Sequence, residues 1–344
     1  MANDHSEGAR LVRIDELRGC LAIAFERLRL TSGDAEGLAG LLVDSELRGH
    51  PGHGVAALEV LASLYRDGKL NPRPRVRVLQ ETDGAILLDG DRGCGPRAPT
   101  RAMRWCIERA RERKGMAAAA VRDWQLLVAG PYARLAAEAG LIGFACTNYI
   151  PLVAPPGGRT AVLGTNPLAY GLPAHRHLPV VLDVATTVSS MQTVRLAAQR
   201  DRPVPAGVIL EGGLMAPLGH PHAPHKGFGL ALFVDALAGV LSGAGFAGGV
   251  DGGAPGNFLW ALDVEAFLPR REFLARMDAQ IDQIKQGDRL PGFDALEVPG
   301  ERSQRRYLEL TTRGAVTLEA ASWQILASAC ESLAVPPPAV LDAR

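Results

Sequence analysis

Aromatic side chains are scarce in this sequence, with Phe, Trp and Tyr making up 5% of its 344 residues. Net charge is absent, since 37 Lys and Arg balance 37 Asp and Glu. No overall field therefore steers the chain onto nucleic acid or an anionic membrane, and neither is expected as a partner. No apolar run approaches the roughly 20 residues that cross a bilayer, and the opening MANDHSEGARLVR lacks the apolar centre of a secretory signal. The cysteines Cys20, Cys94, Cys106, Cys146 and Cys330 are scattered, form no C-x-x-C pair and have no Cys/His spacing suited to zinc. They read as reduced thiols in a cytoplasmic protein. Nucleotide and hydrolase signatures are missing too. Gly93-Cys94-Gly95 meets Ala98 where a third glycine of G-x-G-x-x-G would stand, and there is no G-x-x-x-x-G-K-[ST] loop and no G-x-S-x-G elbow.

What is present is the composition of a folded globular chain, 47% hydrophobic and 22% charged, with a length that suits two domains or one large α/β domain. Leu17, Leu21, Ile23, Phe25 and Leu28 recur at helical spacing. A second helix follows Ser32 or Asp34, and a third ends at Gly68 before the breaker Asn71-Pro72-Arg73-Pro74. Residues 1–75 thus form the first part of a helical domain. From residue 76 the pattern becomes short apolar runs (VRVLQ, AILLDG, MAAAAV, IGFACTN, PVVLDVAT) with helical stretches near 96–113 and 131–139 between them. This predicts a mixed α/β domain over 76–262. Residues 263–344 contain the helix REFLARMDAQIDQIKQ, the loop PGFDALEVPGER and a last helix near 318–333.

Three groups of residues could carry chemistry. His53 lies between two glycines in Arg48-Gly49-His50-Pro51-Gly52-His53-Gly54, a helix junction where a ring can approach a ligand or merely cap a helix. His225, Lys226 and Gly227 open a long apolar helix, HKGFGLALFVDALAGVLSG, whose N-terminus with its lysine makes an anion site. The spacing of His220, His222 and His225 also admits a metal, but no carboxylate accompanies them and Pro221 and Pro224 favour an extended loop; no metal is expected. Asp183 ends an apolar strand before Thr186 and Thr187, as a catalytic acid or as a turn residue.

In order along the chain, RGHPGHGV (48–55), DGKLNPRP (67–74), GLIGFACTN (140–148), APPGGR (154–159), LGTNPLAYGLP (163–173), VLDVATT (181–187), RLAAQRDRPVPAG (195–207), HKGFGLAL (225–232) and PGFDALEVPGE (291–301) resemble the type-2 malate/L-lactate dehydrogenase family. The resemblance implies a mixed-sheet, non-Rossmann cofactor domain and a helical domain built from both chain ends. It also implies a homodimer with active sites near its interface, NAD or NADP as cofactor, and reduction of a C=O or C=N group in a 2-oxo acid or cyclic imine. By resemblance His53 is the proton donor and Asp183 cooperates with it. Cofactor contacts fall on Val181, Leu182, Asp183, Ala185, Thr186 and Thr187, on His225, Lys226 and Gly227, and on Gly300 and Glu301. Arg48, Trp124, Leu126, Thr165 and Asn166 fall around the substrate.

Departures from the family pattern accompany these matches. Gly52 stands where a serine usually precedes the histidine, and Ala57 where an arginine clamps a substrate carboxylate. Val121-Arg122 is followed by Asp123-Trp124-Gln125-Leu126-Leu127-Val128 and no N-S-x-H loop, Thr193 replaces a lysine, and the segment from Ile209 to His225 is short. Losing a charge-assisted bidentate contact costs about two to three orders of magnitude in binding or turnover. Trp124, Leu126 and Leu127 then imply a larger or more apolar substrate. The alternative is a degenerate family member with a non-catalytic or repurposed role.

Overall fold

The computed structural model describes residues 8–199, 202–246 and 255–341. Strand β1 (Arg10–Arg13) leads into helices α1 (Ile14–Arg27), α2 (Ser32–Leu47) and α3 (Ala57–Arg66). The middle of the chain runs β2 (Arg77–Glu81), β3 (Ala85–Asp89), α4 (Arg97–Arg113), β4 (Met116–Arg122), α5 (Gly130–Glu138), β5 (Ile142–Thr147), β6 (Leu168–Leu172), β7 (Val180–Val184), α6 (Met191–Gln199), α7 (Pro224–Asp235) and β8 (Gly256–Leu262). It closes with α8 (Arg270–Lys285), α9 (Glu301–Arg313), β9 (Ala315–Leu318) and α10 (Ala320–Ser332).

Seven strands form one sheet in the order β2-β3-β4-β8-β5-β6-β7, in which only β3 and β4 run parallel. A doubly wound dinucleotide fold needs parallel strands with helical crossovers, so the absent glycine fingerprint and the mixed sheet agree. Alanine and glycine on the central strands bring helices close to the sheet. A Cβ at Gly143 would stand 2.5 Å from the carbonyl oxygen of Ala133, and one at Gly171 2.4 Å from the same atom. Helix α5 therefore rests on bare backbone of β5 and β6, which fixes where its N-terminus points.

The two chain ends meet in a second, two-stranded sheet, where β1 pairs antiparallel with β9 from Arg10↔Leu318 to Arg13↔Ala315. Around it Leu17, Leu21, Phe25, Leu38, Leu42 and Leu58 from the first helices pack with Val316, Leu318 and Leu326. Burying each such side chain contributes about 1.5–3 kcal/mol, so this shared core holds the ends together. The return to that core begins at α9, which packs on α2. Helix α8 stays by the large sheet, where buried Asp278 accepts the backbone N–H groups of His175, Arg176 and His177 at 3.1, 3.0 and 3.3 Å.

Several elements differ from the sequence expectation. Strand β6 lies in a Gly- and Pro-rich stretch that reads as turns, and pairing with β5 and β7 overrides that composition. Helix α9, in ERSQRRYLELTTR, is mostly polar and only Tyr307 and Leu310 reach the core, too sparse a stripe to read from periodicity. The helix expected over 225–243 is α-helical only to Asp235 and continues to Leu241 in wider, π-type turns. The five cysteines are all unpaired thiols. Among the described residues no helix is long and apolar enough to cross a membrane.

One buried carboxyl strains this architecture. Asp123, just past β4, is 4% exposed and its Oδ1 has no hydrogen-bond partner. Burial holds its pKa well above the carboxylate range, with the backbone N–H of Trp124 opposing. A raised folded pKa gives stability that is present in acid and lost as pH rises through that pKa. Asp123→Asn is therefore expected to raise the unfolding free energy from denaturant titration by about 1 kcal/mol at pH 8, with the gain vanishing in acid; a loss of stability at pH 8 would refute the reading.

Candidate active site

The site is organised by Asp183, at the end of β7. Its Oδ2 accepts the backbone N–H of Ala129 at 3.1 Å and of Gly130 at 2.7 Å, the first donors of α5. These groups have no partner within the helix, and a carboxylate there also meets the positive end of the helix dipole. The approach depends on Gly130, since a Cβ on it would lie 3.0 Å from Oδ2. Burial raises the Asp183 pKa, and Gly130, His50, Ala129 and Arg134 oppose that rise.

Two clefts meet at Asp183, which they share with Gly49, His50 and Val128. The first, about 490 Å³, is lined by His53, Gln125, Tyr149, Thr165 and α6. His53 comes from the turn Pro51–His53 after α2, and burial, reinforced by the charge of His50, lowers its pKa to about 4. His50 also sits below the ordinary imidazole range because of the protein around it, with Asp183 pulling in the opposite direction. His50, which the sequence reading left without a role, is thus the histidine whose charge acts on both Asp183 and His53. Only its place between Arg48 and His53 in the motif hinted at this.

The second cleft, about 710 Å³, runs between β7, the N-terminus of α5 and the loop 297–300. That loop is docked on the sheet edge, with Val181 donating its N–H to the Pro299 carbonyl at 3.1 Å. Gly300 has φ 85° and a Cβ there would stand 2.5 Å from the Val181 oxygen, so only glycine permits the contact. Arg134, Arg302 and Arg306 face this cleft. Of its acids, Asp44 is engaged by Arg48 at 2.8 Å and Arg134 at 3.8 Å, Glu297 by Arg305 at 2.7 Å and Asp183 by the N–H groups of α5, while Glu138 stands at the rim. The arginines Arg302 and Arg306, with Arg134 behind them, suit an anionic ligand such as a phosphate.

The structure brings together His53, Asp183, Ala185 and Thr165 in one cleft, and Val181, Leu182, Asp183 and Gly300 in the other. Arg48 lines the larger cleft and not the one with His53: its Nη1 reaches Gln304 at 2.6 Å and its guanidinium lies 4.3 Å over the Tyr307 ring. Other expected contacts are corrected. Trp124 packs on the helical core and Leu126 is buried beneath the sheet, so neither side chain enters a cleft, because Leu127 with φ 58° turns the loop to present Gln125, Leu127 and Val128 instead. Asn166 is fully buried, donating to the Ala231 carbonyl at 2.9 Å and accepting from the Tyr149 N–H at 3.1 Å. Thr186 and Thr187 are buried and bond the carbonyls of Thr165 and Ser189. Glu301 is engaged by Lys285 and the Val298 N–H. His225 and Lys226 open α7 as expected but are exposed away from both clefts, while Gly227 is buried against Leu218. His220, His222 and His225 do not converge, and no group of three such ligands gathers among the described residues.

Comparison with known proteins agrees with this architecture. The family model for malate/L-lactate dehydrogenase matches residues 12–327. Malate dehydrogenase of Pyrococcus abyssi is 34% identical over 322 residues, covering 87% of this chain and 88% of that protein. L-sulfolactate dehydrogenase of Methanocaldococcus jannaschii is 29% identical over 297 residues, covering 80% and 84%. The solved malate dehydrogenase of Pyrococcus horikoshii superposes with a TM-score of 0.87 at 31% identity, covering 96% of this chain and 98% of that one. With a match over nearly its whole length and the same fold, the chain belongs to the malate/L-lactate dehydrogenase family and is an oxidoreductase.

Proposed function

We propose that the chain interconverts a small 2-hydroxy acid and its 2-oxo acid, or reduces the related cyclic imine, with NAD or NADP, and that His53 moves the proton. The meeting of the two clefts at Asp183 and His50 carries this reading. The larger cleft fits a dinucleotide: its volume is within the range of cofactor sites, and Arg134, Arg302 and Arg306 offer donors for a diphosphate. When bound there, the nicotinamide supplies or takes up the two electrons and one hydrogen of the redox step.

The residues of the chain handle the proton. Neutral His53 accepts the hydroxyl proton when a hydroxy acid is oxidised, and its protonated form donates to the developing alkoxide or amine in the reverse direction. Asp183, held by the two backbone N–H groups of α5, lines the same cleft as this ring. Gln125, Tyr149 and Thr165 add polar groups to this cleft, whereas Trp124 and Leu126, from which the sequence implies a larger apolar substrate, do not line it. A non-catalytic role loses support on the same ground, since His53 and Asp183 face one open cleft that Trp124 does not fill.

A second copy of the chain is the partner assigned to the apolar face of α7 and its continuation. Leu232 and Phe233 are each 54% exposed, Val240 is 61% and Leu241 60% exposed, a contiguous patch of the kind monomers seldom leave open. His225 and Lys226 stand at the start of this helix, where a partner copy would come near them.

Four outcomes test these assignments. Titration with NADH and NADPH, followed by nicotinamide fluorescence, is expected to show binding of at least one, with turnover of some member of a panel of 2-oxo acids and cyclic imines. His53→Ala should lower kcat by at least 10²-fold and leave cofactor binding intact; undiminished turnover would remove His53 from the mechanism. In the oxidative direction kcat/KM should hold from neutral pH down to about 4 and fall below it as His53 takes up a proton, whereas the reductive rate should decline as pH rises; an oxidative break near the ordinary imidazole value would point to another group. Phe233→Asp should convert a dimer to a monomer in analytical ultracentrifugation, and an unchanged sedimentation coefficient would move the interface elsewhere.

A further inference from the structure

The cleft that holds His53 also holds a cation with no assigned task. Helix α6 is seated on the turn before His53 without an intervening side chain: a Cβ at Gly52 would stand 2.7 Å from Cβ of Gln192 and 3.4 Å from Cδ1 of Leu196. Gln192 and Leu196 are four residues apart and share one helical face, and Arg195 lies on that face with them. All three line the cleft. The contact at Gly52 therefore holds Arg195 beside the residue that precedes His53 in the chain.

The charge state of Arg195 is equally specific. Its side chain is exposed to the cleft, and no hydrogen bond or ion pair engages it among the described residues. The other cleft cation, Arg202, already has an interaction. Arg195 acts on Tyr149, a second wall residue, favouring its ionised form against burial. The single carboxylate lining the cleft, Asp183, has its Oδ2 occupied by the two N–H groups of α5. On the α3 side Ala57 is buried and small, so that wall offers no charge. An unpaired planar guanidinium lining the same cleft as His53 is a receptor for a planar anion.

We propose that Arg195 binds the substrate's carboxylate, presented by α6 through its seat on Gly52. This rests on the reading of the cleft as the substrate site, which the guanidinium and His53 both line. The cation that position 57 lacks is supplied from a different helix.

The test has two arms. Malonate, a carboxylate with no group to reduce, is titrated calorimetrically into the full-length wild type and into Arg195→Gln and Arg195→Lys. Binding should weaken about 10- to 100-fold in Arg195→Gln, with Arg195→Lys between the two. In the kinetic arm, Arg195→Gln should raise KM for a 2-oxo acid by a similar factor with a smaller change in kcat, while KM for the uncharged methyl ester of that acid stays within twofold. Equal malonate binding by wild type and Arg195→Gln, absence of malonate binding to the wild type, or equal losses on acid and ester would each overturn the assignment. Because the calorimetric arm needs no turnover, an enzyme inactive on every 2-oxo acid would defeat the functional reading and still leave Arg195 tested.

Discussion

The contact between Asp183 and the first turn of α5 is the constraint on which the site depends. One carboxylate oxygen takes two backbone N–H groups that the helix cannot satisfy itself, and the helix dipole favours its charge. The contact joins the edge strand β7 to a helix that lies on bare backbone at Gly143 and Gly171. Strand end, helix N-terminus and both clefts therefore share one rigid corner. A displaced Asp183 would leave two donors unpaired near a partly buried surface, at a cost of about 1–3 kcal/mol each.

The same corner distributes charge between the clefts. On one side are Arg134, Arg302 and Arg306, beside the engaged acids Asp44 and Glu297; on the other are His53, His50 and the polar wall that includes Arg195. Burial lowers the pKa of His53, and it lowers that of His50 against the opposing pull of Asp183. The two clefts are separate spaces that share the Asp183 carboxylate. Gly52 belongs to the same logic. Its missing side chain lets α6 close on the histidine turn, so a residue that departs from the family pattern is also a packing determinant of this particular cleft.

Much of the secondary structure was legible because its residues repeat at the period of their element. Leu17, Leu21 and Phe25 announce α1, and the runs AILLD and IGFACT become β3 and β5. Elements that depend on partners were not legible. LAYGL is a strand because β5 and β7 flank it, and α9 is a helix with little apolar stripe because Tyr307 and Leu310 alone meet the core. Within the site, the ordered motifs pointed to His53 and Asp183, but a motif carries no direction for its side chains. Trp124 and Leu126 sit in the right loop and point into the core, and the positive φ of Leu127 that causes this leaves no mark on composition.

The class of the molecule is written in its residues: a net-neutral, thiol-containing α/β chain with no Rossmann fingerprint, and an ordered series of motifs that places it in one family. Those properties are additive along the chain, so they can be read one segment at a time. The tertiary structure alone decided which residues share a space. Arg48 faces the larger cleft, Asn166 ties the Tyr149 backbone to α7, and Arg195 enters the cleft of His53 from a helix more than a hundred residues away in the chain. Such neighbours are set by close packing at Gly52, Gly143 and Gly171, where the determining feature is an absent side chain, and absence has meaning only against the surface that fills it.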